Sequence, residues 1–143
     1  RACEAGFDAE GTEMDEWVAD FARKYSGIRV TQGTLEEIAF PDAAFDCVTM
    51  YDVFEHLPDP RRTLQELVRI IRPDGVLLIQ TPCYEGQDFT WHEIRPEQHL
   101  YVFSAELLLR LLGEYPLDLV ARWRGETPSE ITVVMRKRGR IDE

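Results

Sequence analysis

Two periodicities alternate along this chain. Leu64, Leu67, Val68 and Ile71 recur at i, i+3, i+4 and i+7, the spacing of a helix with one apolar face. Asp59 stands before that run as an N-cap, with Pro60 at the first helical position. A second helix carries Trp17, Val18, Phe21, Ala22 and Tyr25 on one face, capped by Asp15 and ended at Gly27. A third starts at Ser104, carries Leu107, Leu108, Leu111 and Leu112, and closes at Gly113. Between the helices lie short runs bounded by turn residues, Asp46 to Met50 and Val76 to Ile79, which read as buried strands covered on both faces. Cys47, inside the first of these, reads as core packing.

Shorter strands are expected at Phe7 to Glu13, which ends on an acid, and at Ile28 to Thr31. One helical turn over Leu35 to Ile38 is stopped by Phe40-Pro41-Asp42. Pro73-Asp74-Gly75 forces the turn into the Val76 strand. Two final strands, Leu117 to Trp123 and Ile131 to Arg136, are separated by only a few residues and pair most simply as an antiparallel hairpin. Strand-helix-strand alternation closed by a hairpin predicts an α/β fold, Rossmann-like, with a mostly parallel sheet and helices on both faces. Residues 1–143 are expected to form a single domain. The stretch from Thr81 to Val102 is irregular, rich in proline, glycine and aromatics, and long for a passive connection.

The 143 residues are 44% apolar, enough for a real core, and carry a formal net charge of −11. That charge argues against a nucleic-acid backbone or an anionic membrane as partner. Three cysteines, Cys3, Cys47 and Cys83, are too scattered for a disulfide framework or a paired metal motif, so a reducing cytoplasmic compartment is the default. No apolar run approaches the ~18 residues of a membrane span.

Candidate chemistry gathers after the strand ending at Met50. Tyr51, Asp52, Glu55 and His56 place a phenol, two carboxylates and an imidazole just past a strand's carboxyl end, where open α/β sheets put their ligand crevice. The alternative is a polar loop leading to the Asp59 cap. Trp91, His92, His99 and Tyr101 stand in the long irregular segment and could line a pocket with aromatic walls. His92 and His99 are seven apart, in no recognised metal spacing, and no metal site is expected.

The stretches GTEMD, GTLEEIAFPDAAFDCVTMYDVFEHLPDP, RIIRPDGVLLIQTP and EQHLYVFSAELLLRLL, in that order, resemble successive motifs of the class I S-adenosylmethionine-dependent methyltransferases. The resemblance is to the small-molecule branch similar to ubiquinone-biosynthesis O-methyltransferases. It implies S-adenosyl-L-methionine as cofactor and in-line displacement of its methyl group by a small-molecule acceptor. It implies that Glu13, next to Met14, accepts hydrogen bonds from the cofactor's ribose hydroxyls. Thr34 and Leu35 take the place of the adenine contacts, where the family often has an acid. Tyr51 and Asp52 would meet the adenosyl and methionyl portions. His56 is placed as a general base, and Glu55, Trp91 and His99 as acceptor contacts.

One departure stands out. The family's Gly-rich loop and first strand belong just before Arg1, so the expectation is of upstream residues, or of a bare sheet edge open to a second copy of the chain in a homodimer. A non-catalytic, methyltransferase-like interaction module is the rival reading. A nucleotide-dependent oxidoreductase is the weakest, since no Gly-rich fingerprint is visible.

Overall fold

The computed structural model describes residues 2–85, 97–124 and 129–139. The chain divides into two compact units, Arg1–Phe40 and Pro41–Glu143.

In the first unit, strand β1 (Glu10–Glu13) pairs in parallel with β2 (Arg29–Gln32), Glu13 opposite Gln32. Helix α1 (Glu16–Ser26) connects them. The Asp15 carboxylate accepts from the Val18 N–H at its start, and Gly27 ends it in the left-handed region at φ 67°. One turn, α2 (Leu35–Ile38), follows. The apolar face predicted for α1 forms, but it is not core. Trp17, Val18, Phe21 and Tyr25 are all exposed, Trp17 to 73%, and Ala19 is the helix's buried residue. The three aromatics instead pack on one another, with ring centroids 5.7 Å and 4.4 Å apart. Periodicity selects the face of a helix; it does not supply the surface that covers it.

The second unit is built on a four-stranded sheet in the order β3-β4-β6-β5. Strand β3 (Phe45–Tyr51) runs parallel to β4 (Ile71–Pro82), while β6 (Glu130–Lys137) is antiparallel to both β4 and β5 (Leu117–Arg124). The predicted hairpin is therefore present, with its second strand inserted beside β4. Helix α3 (Pro60–Ile70) has the predicted Asp59 cap and buries Leu64, Leu67 and Ile70, and α4 (Ala105–Leu112) has the Ser104 cap and buries Leu108, Leu111 and Leu112. Lys137 reaches from β6 to donate to the Val68 and Ile71 carbonyls at the end of α3, at 2.6 and 2.7 Å. Among the described residues no helix is long and apolar enough to cross a membrane.

Strand β3 departs from expectation. Of its seven residues only Met50 is buried, and Cys47 is an exposed free cysteine rather than a core residue. The cause is position: β3 ends its sheet, so among the described residues no strand pairs with its other flank. Strand β4 also runs further back than predicted, taking in the turn at Pro73-Asp74-Gly75. Phe45 pairs with Ile71 and Cys47 with Val76, so the extra residues bulge out between them. Asp74 in that bulge has φ 64°, and Gly75 is buried.

Candidate functional site

The carboxyl ends of the parallel strands hold the chemistry in both units. In the first, Glu13 is the last residue of β1 and half-buried. One of its carboxylate oxygens accepts the Asp15 N–H at 2.9 Å, which leaves the other for a ligand. Its backbone carbonyl accepts from Gly33, which fixes the strand end against the turn after β2. Met14 beside it is 69% exposed.

Thr34 caps α2. Its hydroxyl accepts the Glu37 N–H and donates to the Glu37 carboxylate, which also accepts the Thr34 N–H at 3.0 Å. Those bonds hold the Glu37 carboxyl below its ordinary value of 4.5. The hydroxyl expected to meet an adenine amine is thus already engaged in a capping box. The Leu35 N–H stands at the first helical position, where a helix offers it no acceptor.

In the second unit, β3 ends at Tyr51, which is 54% exposed. Asp52 follows at φ 51°, a left-handed conformation uncommon for a residue with a side chain, and its N–H donates to the Gln80 carbonyl of β4. A 3-10 turn over Phe54–His56 comes next, with Phe54 fully buried.

Glu55 in this turn is 1% exposed, an unusual place for a carboxylate. The Thr81 hydroxyl donates to one of its oxygens at 2.8 Å; the other, Oε1, is buried with no hydrogen-bond partner among the described residues. The Glu55 carbonyl accepts from Leu100 and Tyr101, and the Tyr101 hydroxyl donates to the Pro58 carbonyl. The segment carrying His99 is thereby laid over the turn. His56 Nδ1 lies 2.8 Å from the Gln98 carbonyl, so it carries a hydrogen, and in the neutral ring Nε2 keeps its lone pair. That Nε2 is 3.7 Å from Glu55 Oε1, and the His56 and His99 rings meet edge to face at 4.9 Å. His99 Nδ1 is also buried with no hydrogen-bond partner among the described residues.

Glu55, His56 and His99 are thus brought together as a cluster, while Trp91 and His92 lie outside the described residues. Two residues that organise the cluster went unread in the sequence. Thr81 had a signal, a hydroxyl closing an apolar strand run. The Gln98 carbonyl, a backbone group, had none.

These arrangements define a class first. A Methanosarcina mazei S-adenosylmethionine-dependent methyltransferase superposes with a TM-score of 0.74 over 91% of this chain and 82% of its own, at 14% identity, which shows the fold. The methyltransferase domain family matches residues 2–122. The chain belongs to that family, whose class I members take S-adenosyl-L-methionine as cofactor. A protein of Mycolicibacterium smegmatis named as a probable S-adenosylmethionine-dependent methyltransferase is 38% identical over 73 residues, 50% of this chain and 28% of its own. A ubiquinone biosynthesis O-methyltransferase of Actinobacillus pleuropneumoniae is 33% identical over 87 residues, 54% of this chain and 37% of its own. The matched stretch spans well under half of either relative.

Proposed function

We propose that the protein of which this chain is part transfers a methyl group from S-adenosyl-L-methionine to a small-molecule acceptor. The observation that carries the reading is Glu13. It is a half-buried carboxylate ending a parallel strand, with one oxygen tied to Asp15 and the other left to accept, which suits the adjacent hydroxyls of a ribose. Tyr51 and Asp52, at the corresponding end of β3, are the residues proposed for the adenosyl and methionyl portions. The left-handed φ of Asp52 and the bond from its N–H to the Gln80 carbonyl fix the backbone at this point.

Bound, the cofactor supplies a methyl group already activated by positive sulfur and open to in-line displacement. The protein's remaining work is to position the acceptor and take its proton. Alignment of this kind supplies roughly 7–11 kcal/mol of a barrier. Glu55 and His99 are proposed as acceptor contacts. His56 is the side chain proposed to act on the acceptor's proton, through the lone pair on Nε2 or through an ion that this lone pair helps to hold.

Glu13→Ala tests the reading. Two hydroxyl bonds to a carboxylate are each worth about 1.5–3 kcal/mol, so affinity for S-adenosylhomocysteine should fall at least about 100-fold by calorimetry. Unchanged affinity would remove the ribose assignment. Self-association of the chain through the open side of β3 belongs to the same proposal, and the mass of the species in solution tests it.

A further inference from the structure

We infer that Glu55, His56 and His99 form a binding site for a divalent transition-metal ion of the zinc class. One ligand atom from each residue lies within 4.8 Å of the other two. Proximity alone would not distinguish this from a polar cluster; the state of the individual atoms does. Glu55 Oε1 belongs to a carboxylate 1% exposed, is itself buried, and has no hydrogen-bond partner. His99 Nδ1 is in the same condition. Buried polar atoms are rarely left unpaired, and here two of them occur in one cluster.

An ion pair of protonated His56 with Glu55 would account for one of these atoms and leave His99 Nδ1 unpaired. His56 Nε2 and Glu55 Oε1 are 3.7 Å apart, beyond hydrogen-bond reach. In a neutral His56 the hydrogen on Nδ1 goes to the Gln98 carbonyl, and Nε2 is then an acceptor facing another acceptor. Two acceptors turned toward one another need a cation or a donor between them.

The surroundings are those a ligand set requires. A metal-binding histidine donates its other ring N–H to a carbonyl or carboxylate, as His56 does to Gln98. A metal-binding carboxylate is held by a hydrogen bond on its free oxygen, as Thr81 holds Glu55 at 2.8 Å. Bonds of about 2.0–2.1 Å in a tetrahedron put ligand atoms about 3.4 Å apart, so the 3.7 Å pair is nearly in place. The widest separation, up to 4.8 Å, must close by about 1.4 Å, which rotation of the side chains about their χ angles has to supply.

Two imidazoles and one carboxylate select a borderline ion over magnesium or calcium, which prefer oxygen alone. Three protein ligands leave a further position for an oxygen or nitrogen donor. That such a donor is the methyl acceptor rests on the proposed function; the ion itself does not.

The two ideas are separated by measuring Zn²⁺ with no cofactor present. The 143-residue chain, stripped of metal and titrated against a competing chelator, should take up one Zn²⁺. His99→Ala and Glu55→Gln should each weaken uptake by at least about 100-fold, and Thr81→Val, which loosens an outer partner, by about 10–100-fold. Cys47→Ser should change nothing. In the histidine ¹⁵N spectrum Zn²⁺ should shift Nε2 of His56 while Nδ1 stays protonated, a readout that survives if one variant fails to fold. Absence of uptake by the wild-type chain, as expected if a water bridges these atoms, would overturn the inference. So would undiminished uptake by His99→Ala and Glu55→Gln.

Discussion

Gly75→Ala places one methyl group at the bulge between β3 and β4, and its effect follows from the contacts it would make. A Cβ there would stand 2.7 Å from Ile71 Cγ2, 2.9 Å from the Arg72 carbonyl oxygen and 3.0 Å from the Asp46 carbonyl oxygen. Ordinary carbon contacts are about 3.5–4.0 Å, so all three neighbours would have to withdraw. Two are backbone atoms, one on each strand, and Ile71 is fully buried. None can rotate away, and relief must come from parting the strands at the bulge. Overpacking typically costs 1–3 kcal/mol, and rigid neighbours put this case near the top, at about 2–3 kcal/mol. The assay is urea unfolding followed by far-UV circular dichroism, alongside thermal melting. The control is Gly11→Ala, in β1, where an added Cβ meets nothing within 4 Å. Reduced freedom of the unfolded chain should make that variant neutral or stabilised by up to about 1 kcal/mol. A Gly75→Ala protein within about 0.5 kcal/mol of wild type would refute the contact argument.

Thr34→Ala removes a capping box and should cost about 0.5–1 kcal/mol at neutral pH. The Thr34 N–H, which alanine keeps, and then the Thr34 hydroxyl lower the folded Glu37 pKa below 4.5, so the hydroxyl's charged share of this stabilisation is complete above that value. It is lost as pH falls through the lower folded value, so the gap between variant and wild type should narrow in acid; a gap that widens there would contradict the assignment. Leu64→Ala and Trp17→Ala delete large apolar side chains from helices of similar pattern, yet Leu64 is 0% and Trp17 73% exposed. The first should cost about 2–5 kcal/mol and the second about 0.5 or less, by the same unfolding assay. Equal losses would show that the α1 aromatics are covered in the folded chain.

What could be read from the sequence was local. Asp15, Asp59-Pro60 and Ser104 each start a helix at the predicted residue, because a cap depends on atoms within one turn. The hairpin was legible for the same reason. Exposure of Cys47 and of the α1 aromatics was not, because a strand or helix face is covered only by something distant in sequence. The methyltransferase motifs led to the strand-end residues, and the chain does belong to that family. Motif order nevertheless gave Thr34 a ligand role that its capping box contests. It also treated Glu55, His56 and His99 as separate candidates. Their convergence depends on Leu100 and Tyr101 bonding the Glu55 carbonyl, a backbone contact with no side-chain signature.

The open flank of β3 makes it natural to doubt whether the turn beyond it has a fixed shape, yet its anchors all come from other directions. Strand β4 supplies two: the Gln80 carbonyl takes the Asp52 N–H, and the Thr81 hydroxyl holds the Glu55 carboxylate. The segment 98–101 supplies three more, through the His56 ring and the two N–H groups on the Glu55 carbonyl. Phe54, fully buried and 5.4 Å from the Phe103 ring, pins the turn from beneath. The geometry of Glu55 and His56 therefore depends on β4 and on the approach to α4 more than on the free edge of β3. Polar groups held this way are oriented before any ligand arrives, the condition under which electrostatic contacts contribute most to a reaction.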